Sequence, residues 1–260
     1  MFLQTFQSKL RRAFSHAAVN YDSLTSLHKA IGRELVRKVI MKDDCVRILD
    51  AGCGTGYISR KMKFYFPDAD VIGLDLAEGM LAQVRKDEEV IHVIQADSAC
   101  LPFQDATFDI IISNLSYHWV EDLMHAFKDV NRTLKDDGIF AATLFGSRTF
   151  EELFQSIAEA SVNPKSLNIR RLNSIETIER ILNAAQFQNI KVEFELIKIE
   201  FQDLWDLIKW TKSIGANVLP HEGFIGRDCL ERANQYYREQ YPYHDGVQAT
   251  LEVVWIEGRK

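Results

Sequence analysis

Apolar residues in the first half of the chain fall into two kinds of segment that alternate. Short continuous apolar runs, typical of buried strands, occupy 46–51, 71–75, 90–95, 108–113 and 139–145. Segments with helical periodicity lie between them at 58–66, 77–85 and 122–134, and the last runs into a predicted turn at 135–138. This alternation predicts a parallel sheet with helices on both faces, which binds ligands at the carboxyl ends of its strands.

The second half of the chain has a different pattern. A helix is predicted over 174–185, with Ser174 as its N-cap. Two alternating segments, 190–199 and 247–256, predict strands, and 200–246 between them contains at least two helical patterns, 204–211 and 228–238. If the two strands pair as a hairpin, 200–246 is a helical insertion, and long insertions over a binding edge are usually functional.

The N-terminal segment is a basic amphipathic pattern. Phe2, Phe6, Leu10 and Phe14 recur every four residues, and residues 1–21 contain no acid. Such a helix is either a cover laid over the domain by its aromatic stripe or a transit peptide. We therefore expect one domain over 1–260, with a helical cover over 1–44 and an insertion over 200–246.

Composition excludes several classes of protein. The formal net charge is −6, with a pI of about 5.7, which argues against nucleic acid or an anionic membrane as partner. No apolar run approaches the ~20 residues of a membrane helix. Four cysteines without a C-x-x-C pair indicate neither a zinc site nor a disulfide framework, and fit a reducing compartment. We expect a cytoplasmic protein without a metal site.

The sequence DAGCGTG at 50–56 predicts a tight ligand-binding turn after the first strand. A P-loop is excluded because no lysine follows Gly56, and a dinucleotide turn is disfavoured because Tyr57 occupies the place of its third glycine. Asp50 would also repel a pyrophosphate. An acid beside the turn suits a cationic ligand such as S-adenosylmethionine (SAM), which carries a sulfonium and an ammonium group and no phosphate.

This turn resembles motif I of the class I SAM-dependent methyltransferases, and the likeness continues downstream. Asp75 ends the second strand, where a carboxylate can accept the ribose hydroxyls, and Asp97 follows the third, where this family holds the adenine amino group. The resemblance implies a three-layer, Rossmann-like α/β fold whose mostly parallel sheet has an antiparallel last strand, with added N- and C-terminal helices. It implies SAM as cofactor, S-adenosylhomocysteine as product, and these binding residues: Asp50, Gly52, Gly54, Gly56, Asp75, Leu76, Met80, Asp97, Ser98 and Asn114.

Longer stretches resemble the malonyl-[acyl-carrier-protein] O-methyltransferases of biotin synthesis (BioC). They are 11–22, 73–81, 101–123, 142–157, 207–217 and the closing 246–258. The resemblance implies methylation of the free carboxylate of a malonyl group on acyl carrier protein, in early biotin (pimeloyl) synthesis. SNLSYHWVEDL and ATLFGSRTFEELF also resemble a mitochondrial complex I assembly factor described as a protein arginine hydroxylase, whereas TKSIGAN and the insertion favour the methyltransferase. Another small-molecule SAM methyltransferase remains a further alternative.

A carboxylate acceptor is already ionised at neutral pH, so no general base is required. The chain must instead align the acceptor and exclude water. Candidates for this work are Tyr21, interpreted as following the first helix, Asn114, His118 and Arg148, the last expected to pair with the carboxylate. A basic patch for the acidic carrier protein is predicted from Lys9, Arg11, Arg12, Arg170, Arg171, Lys209 and Lys212.

Overall fold

The computed structural model describes residues 2–40, 46–86, 91–162, 171–216 and 225–260. The helices are α1 Phe2–Leu24, α2 Ser26–Val39, α3 Tyr57–Tyr65, α4 Glu78–Val84, α5 Leu123–Thr133, α6 Glu151–Ala160, α7 Ile175–Ala184, α8 Leu204–Ser213 and α9 Arg227–Gln240. The strands are β1 Arg47–Ala51, β2 Asp70–Asp75, β3 His92–Gln95, β4 Phe108–Asn114, β5 Leu134–Phe145, β6 Gln188–Phe201, β7 Pro242–Tyr243 and β8 Gly246–Arg259.

The strands form one sheet in the order β3-β2-β1-β4-β5-β8-β6, with β7 paired to β8. Neighbours are parallel from β3 to β5, and β8 runs antiparallel to both β5 and β6. Ile48 and Ile110 pack with Met62 in one apolar cluster, while Leu49 and Phe127 belong to the cluster on the other face. Helices therefore cover both faces, and the predicted three-layer fold with an antiparallel last strand is confirmed.

The predicted elements match the observed ones closely, apart from the short strand β7, which was not predicted, and two further differences. The predicted turn at 135–138 is wrong, because these residues lie inside β5. The pairing of β5 with β4 shifts register opposite this segment, between Phe108 and Ile110 of β4, and Asp137 has a φ of 61°. Three polar residues and Gly138 at this point form a bulge and not a strand end. Helix α6 was not predicted, and it begins after Phe150, whose φ is 60°. The predicted start of β3, Val90, lies outside the described residues.

Helix α1 lies against α4 and against the end of α8. A side chain at Gly79 of α4 would meet the Ser15 carbonyl oxygen at 2.5 Å, and one at Gly215, which follows α8, would meet the Ala13 carbonyl oxygen at 3.1 Å. Because glycine has no side chain, the backbone at Gly79 and at Gly215 can lie directly against the backbone of α1. Tyr21 lies within α1, which extends to Leu24, so the interpretation that it follows this helix is wrong.

Helices α8 and α9 lie in the chain between β6 and β8, which pair along their length from Gln188–Arg259 to Phe201–Val247. Leu204 and Leu207 of α8 pack with Tyr237 of α9 in a separate apolar cluster. The Tyr237 hydroxyl donates to the Gln248 carbonyl oxygen at 2.6 Å, which ties α9 to β8.

Candidate active site

The glycine turn joins β1 to α3 at the carboxyl edge of the sheet. Gly52, Gly54 and Gly56 have φ angles of 77°, 53° and 85°, a left-handed conformation that favours glycine. A Cβ atom at Gly52 would lie 2.0 Å from the Ser116 hydroxyl oxygen, so only glycine fits there without movement of Ser116. The turn is thereby held against the segment that follows β4.

Asp50 is the last residue but one of β1, directly before this turn. Its side chain is 1% exposed, and Oδ2 accepts a 2.6 Å hydrogen bond from the Ser59 hydroxyl. Its other oxygen, Oδ1, is buried without a hydrogen-bond partner among the described residues. Burial raises the pKa of Asp50 to about 7. A buried carboxylate oxygen of this kind is suited to a cationic ligand.

Asp75 connects the end of β2 with the glycine turn. Its Oδ2 accepts from the Gly54 N–H at 2.8 Å, and its Oδ1 accepts from the Ala77 N–H at 2.8 Å. Desolvation raises the pKa of Asp75 although these backbone donors oppose the shift. The carboxylate is therefore fixed in position, and it lines a cavity at this edge of the sheet.

Asp97 lies after β3 and faces α1. Its Oδ1 accepts from the Ala99 N–H at 2.9 Å, and its Oδ2 accepts from the Gln7 side-chain amide. The donor on Gln7 has the same chemistry as the adenine amino group for which Asp97 was predicted. Helix α1 therefore supplies a hydrogen-bond donor to a carboxylate proposed to bind cofactor.

Asp75 and Asp97 both line a cavity of about 330 Å³. The predicted residues Gly52, Gly54, Asp75, Leu76, Met80, Asp97, Ser98 and Asn114 line it. Phe6, Leu10 and Phe14 of α1 form part of its wall, and Arg11 also lines it. We call this space the cofactor cavity.

A second cavity, of about 140 Å³, adjoins the cofactor cavity. The two share the lining residues Phe14, Tyr21, Leu115 and Trp119. The second cavity is bounded mainly by aromatic rings, including Phe145 of β5, Phe150 and Trp210 of α8. We call it the aromatic chamber. None of the described residues that line it is lysine or arginine, and its titratable side chains are Tyr21, His28 and His118.

The cofactor cavity and the aromatic chamber meet near the end of β4, where Leu115 lines both. The Asn114 amide donates from Nδ2 to the His28 carbonyl oxygen at 3.1 Å and accepts at Oδ1 from the Thr143 hydroxyl at 2.8 Å. Leu115 follows with a φ of 51°, an uncommon conformation for a bulky residue and one that occurs at functional sites. Asn114 thus joins β4 to α2 and β5.

Most predicted site residues line the cofactor cavity, with four exceptions, of which Asp50 lines a small cavity at the glycine turn instead. Gly56 lines none of the described cavities, and a Cβ atom there would meet Val84 of α4 at 2.9 Å. His118 lies in the short 3-10 turn Tyr117–Trp119 and lines the aromatic chamber, not the cofactor cavity.

Arg148 lies at the surface, away from both cavities. Its guanidinium pairs with the Glu151 carboxylate at 3.1 Å, and the Arg148 side chain is half-exposed. It is not among the residues that line the cofactor cavity or the aromatic chamber. Nothing in this placement supports the hypothesis that Arg148 pairs with the acceptor carboxylate.

Several residues of the site were missed from the sequence. Gln7 and His28 lie on helices α1 and α2, whose periodicity marks a buried face but not a ligand. Asp22, at the end of α1, accepts a 2.8 Å hydrogen bond from the Thr55 hydroxyl and so joins α1 to the glycine turn. The only feature of the sequence that could have indicated Asp22 is its position in the segment 11–22, which resembles the methyltransferase family.

The arrangement fits SAM. The orphaned Oδ1 of Asp50 lies at a small cavity that Gly52, Gly54 and Asn114 also line, as expected for a carboxylate that attracts the cationic methionine part. Asp75 and Asp97 are oxygen acceptors for the ribose hydroxyls and the adenine amino group. Among the residues described, no group of three or more His, Cys, Asp or Glu side chains is arranged to hold a metal ion.

Comparison with known proteins agrees with this fit. Residues 49–142 match the family model described as "Methyltransferase domain". A SAM-dependent methyltransferase from Archaeoglobus fulgidus has the same fold, with a TM-score of 0.55 and 17% identity over 90% of this chain and 94% of that one. None of the helices in the described ranges has the length and apolar character required to cross a membrane.

Two curated relatives match most of the chain. The malonyl-[acyl-carrier protein] O-methyltransferase of Geobacter sulfurreducens is 32% identical over 97% of this chain and 98% of its own length. A mouse mitochondrial protein, arginine-hydroxylase NDUFAF5, is 29% identical over 90% of this chain and 70% of its own length. The chain therefore belongs to the malonyl-[acyl-carrier protein] O-methyltransferase family and is a SAM-dependent methyltransferase.

Proposed function

We propose that this protein methylates the free carboxylate of a malonyl group carried as a thioester on acyl carrier protein, as an early step of biotin (pimeloyl) synthesis. The observation that carries the proposal is the pair of adjoining cavities. One is lined by Asp75 and Asp97, carboxylates suited to SAM, and the other is an aromatic chamber that shares the wall of Phe14, Tyr21, Leu115 and Trp119. The family relationship identifies the acceptor class.

The reaction requires alignment and no proton transfer. SAM supplies a methyl group on a positively charged sulfur, and an acceptor carboxylate oxygen forms the new C–O bond while the electron pair of the broken S–C bond stays on sulfur. The acceptor is ionised before it binds, because carboxyl groups have ordinary pKa values near 4. The chain therefore has to hold both partners in line and to exclude water.

The residues of this chain divide that work between the two cavities. In our proposal Asp50 and the glycine turn hold the cationic methionine part, Asp75 the ribose, and Leu76, Met80, Asp97 and Ser98 surround the adenine. Tyr21 lines both cavities and stands at their junction. The aromatic rings of the chamber exclude water around the acceptor, which strengthens each hydrogen bond that orients it.

The N-terminal segment and the insertion between β6 and β8 would cover the two cavities. We propose that the 1–44 segment closes the cofactor cavity, since α1 supplies Phe6, Leu10 and Phe14 to its wall. The insertion over 200–246 closes the chamber, since Trp210 and Thr211 of α8 and Ile214 line it. Contact of Ala13 with Gly215 brings these two covers together.

The carrier protein then docks on the outer surface of the same covers. Arg12 of α1 and Lys209 and Lys212 of α8 are exposed cations on a chain with a net charge of −6. Lys9 and Arg171 are also exposed, and Arg11 lines the cofactor cavity at the same time. Arg170 lies outside the described residues. An acidic carrier protein would be attracted to such a patch. The free thiols of Cys53, Cys100 and Cys229 fit a cytoplasmic reaction.

The test is a methylation assay with purified components. Malonyl-acyl carrier protein and SAM are incubated with the protein, and mass spectrometry is used to look for a methyl group on the malonyl part. Complementation of a biotin-requiring strain that lacks this methyltransferase gives the same answer in cells. If the malonyl group stays unmodified and a protein arginine gains oxygen instead, the hydroxylase alternative replaces this proposal.

A further inference from the structure

His28 of α2 occupies an unusual place for a histidine. Its side chain is 9% exposed and lies among the rings of Tyr21, Phe145 and Trp210, with centroid distances of 6.2, 6.0 and 6.4 Å. It lines the aromatic chamber and also the small cavity at the glycine turn. The imidazole therefore stands between the proposed acceptor space and the cofactor turn.

The buried Nδ1 atom of His28 has no hydrogen-bond partner within the described part of the chain. Leaving a buried polar atom unsatisfied costs about 1–3 kcal/mol, so such atoms usually serve a ligand or reflect strain. A leucine or phenylalanine would fill the same aromatic surroundings without this cost. The backbone of His28 is held independently of its ring, because the Asn114 amide donates to its carbonyl oxygen at 3.1 Å.

We propose that His28 binds the acceptor carboxylate, with its imidazole donating a hydrogen bond from Nδ1 to the oxygen that does not take the methyl group. This inference rests on the proposed function and assigns a residue that the sequence did not indicate. It replaces Arg148, whose guanidinium pairs with Glu151 outside the chamber.

A neutral donor is better suited to this role than a cation. Burial lowers the pKa of His28 to about 4, so the free imidazole is neutral at neutral pH and carries one N–H. A guanidinium would stabilise the ionised acceptor strongly before the reaction, yet the product ester carries no charge on that group. A neutral hydrogen bond orients the carboxylate and leaves its oxygen able to attack.

The experiment compares two substitutions of His28. His28→Leu removes the donor at similar volume, and His28→Gln retains an N–H donor. We expect His28→Leu to lower kcat/KM for malonyl-acyl carrier protein by about 10- to 100-fold, the usual effect of a lost hydrogen bond to a charged group. We expect His28→Gln to recover most of that loss. Calorimetry should show S-adenosylhomocysteine binding within about twofold of the wild type in both variants.

His92→Leu is the matched control, because His92 is an exposed histidine on β3 that lines none of the described cavities. Its kinetics should equal those of the wild type. Equal activity of His28→Leu and the wild type would overturn the inference. So would a parallel loss of S-adenosylhomocysteine binding, or a His28→Gln variant as weak as His28→Leu, because each indicates a merely structural role.

A second measurement on the wild type covers the case in which His28→Leu does not fold. Nitrogen NMR of the His28 ring is recorded with S-adenosylhomocysteine bound, before and after addition of malonyl-acyl carrier protein. A shift of the Nδ1 resonance supports the contact, and an unchanged resonance overturns it. The two proposals fail differently: a wild-type protein that does not methylate malonyl-acyl carrier protein removes the proposed function and this inference together, whereas an active wild type with an unaffected His28→Leu variant removes the inference alone.

Discussion

The Gln7 amide of α1 donates a hydrogen bond to Oδ2 of Asp97, across 90 residues of sequence. The adenine amino group would donate to the same carboxylate in the proposed cofactor complex. Gln7 and adenine therefore compete for one acceptor, and cofactor binding requires the Gln7 contact to break or to share Asp97. Helix α1 is thus both a wall of the cofactor cavity and a competitor for part of it.

Removal of this competitor should strengthen cofactor binding. We expect Gln7→Ala to raise the affinity for S-adenosylhomocysteine by about 1 kcal/mol, the usual net value of one hydrogen bond. Isothermal titration calorimetry measures the change, with Ser8→Ala, an exposed position on the same helix, as the control. Weaker binding by Gln7→Ala would show that Gln7 assists the cofactor and does not compete with it.

Loss of the Asp75 carboxylate should weaken SAM binding through two separate effects. Asp75→Ala removes the proposed ribose acceptor and also the acceptor for the Gly54 and Ala77 N–H groups. We expect SAM binding to weaken by at least 1–3 kcal/mol, roughly the value of hydrogen bonds to a charged group. Asp70→Ala at the opposite end of β2 is the control, since Asp70 pairs with Arg47 at the surface. Binding of NAD in place of SAM by the wild type would contradict the assignment of the whole cavity.

Cofactor binding should depend on pH through Asp50. Burial raises its pKa from 3.8 to about 7, so between these two values the free folded protein keeps a proton that the unfolded chain has already lost. This contribution to stability is complete below the ordinary pKa of 3.8 and is lost progressively as the pH rises from there through about 7. A cationic ligand favours the ionised carboxylate, so SAM binding below pH 7 should release a proton, and affinity should rise with pH up to that point.

Calorimetry in two buffers of different ionisation enthalpy counts the released proton. Asp50→Asn cannot release one, and we expect it to bind SAM more weakly above the wild-type pKa of about 7 and with little pH dependence. An identical pH profile in Asp50→Asn and the wild type would assign the proton to another group. Asp75 is the nearest alternative, because it is also a charged neighbour that raises the pKa of Asp50.

The sequence predicted the sheet and the position of the proposed cofactor-binding acids at its edge because both depend on local patterns. Apolar runs mark buried strands, and a glycine turn followed by acids at strand ends marks the cavity edge, as Asp75 and Asp97 show. The acceptor side depends on contacts between distant segments. His28 reaches the chamber because α2 packs against the end of β4, a contact between distant segments that no spacing in the sequence encodes. Arg148 does not line the chamber and pairs instead with Glu151, three residues along the chain.

Two buried tyrosines should respond oppositely to loss of their hydroxyl groups. The Tyr117 hydroxyl is buried without a partner in the described structure, whereas the Tyr237 hydroxyl donates to the Gln248 carbonyl oxygen. We expect Tyr117→Phe to leave the free energy of unfolding unchanged or to raise it by about 1 kcal/mol, and Tyr237→Phe to lower it by about 1 kcal/mol. Urea unfolding measures both. Destabilisation by Tyr117→Phe would indicate that a bound water satisfies its hydroxyl.

Docking of the carrier protein should depend on the cations of α1 and α8. Arg12 and Lys212 are exposed and line none of the described cavities, so their reversal leaves the proposed cofactor contacts intact. We expect the double variant Arg12→Glu/Lys212→Glu to raise KM for malonyl-acyl carrier protein about tenfold at low salt, with SAM affinity unchanged. The difference should shrink as salt screens the charges. The control is Arg33→Glu/Arg37→Glu, an equal charge change on exposed positions of α2. If both double variants raise KM equally, net charge and not this surface governs the encounter.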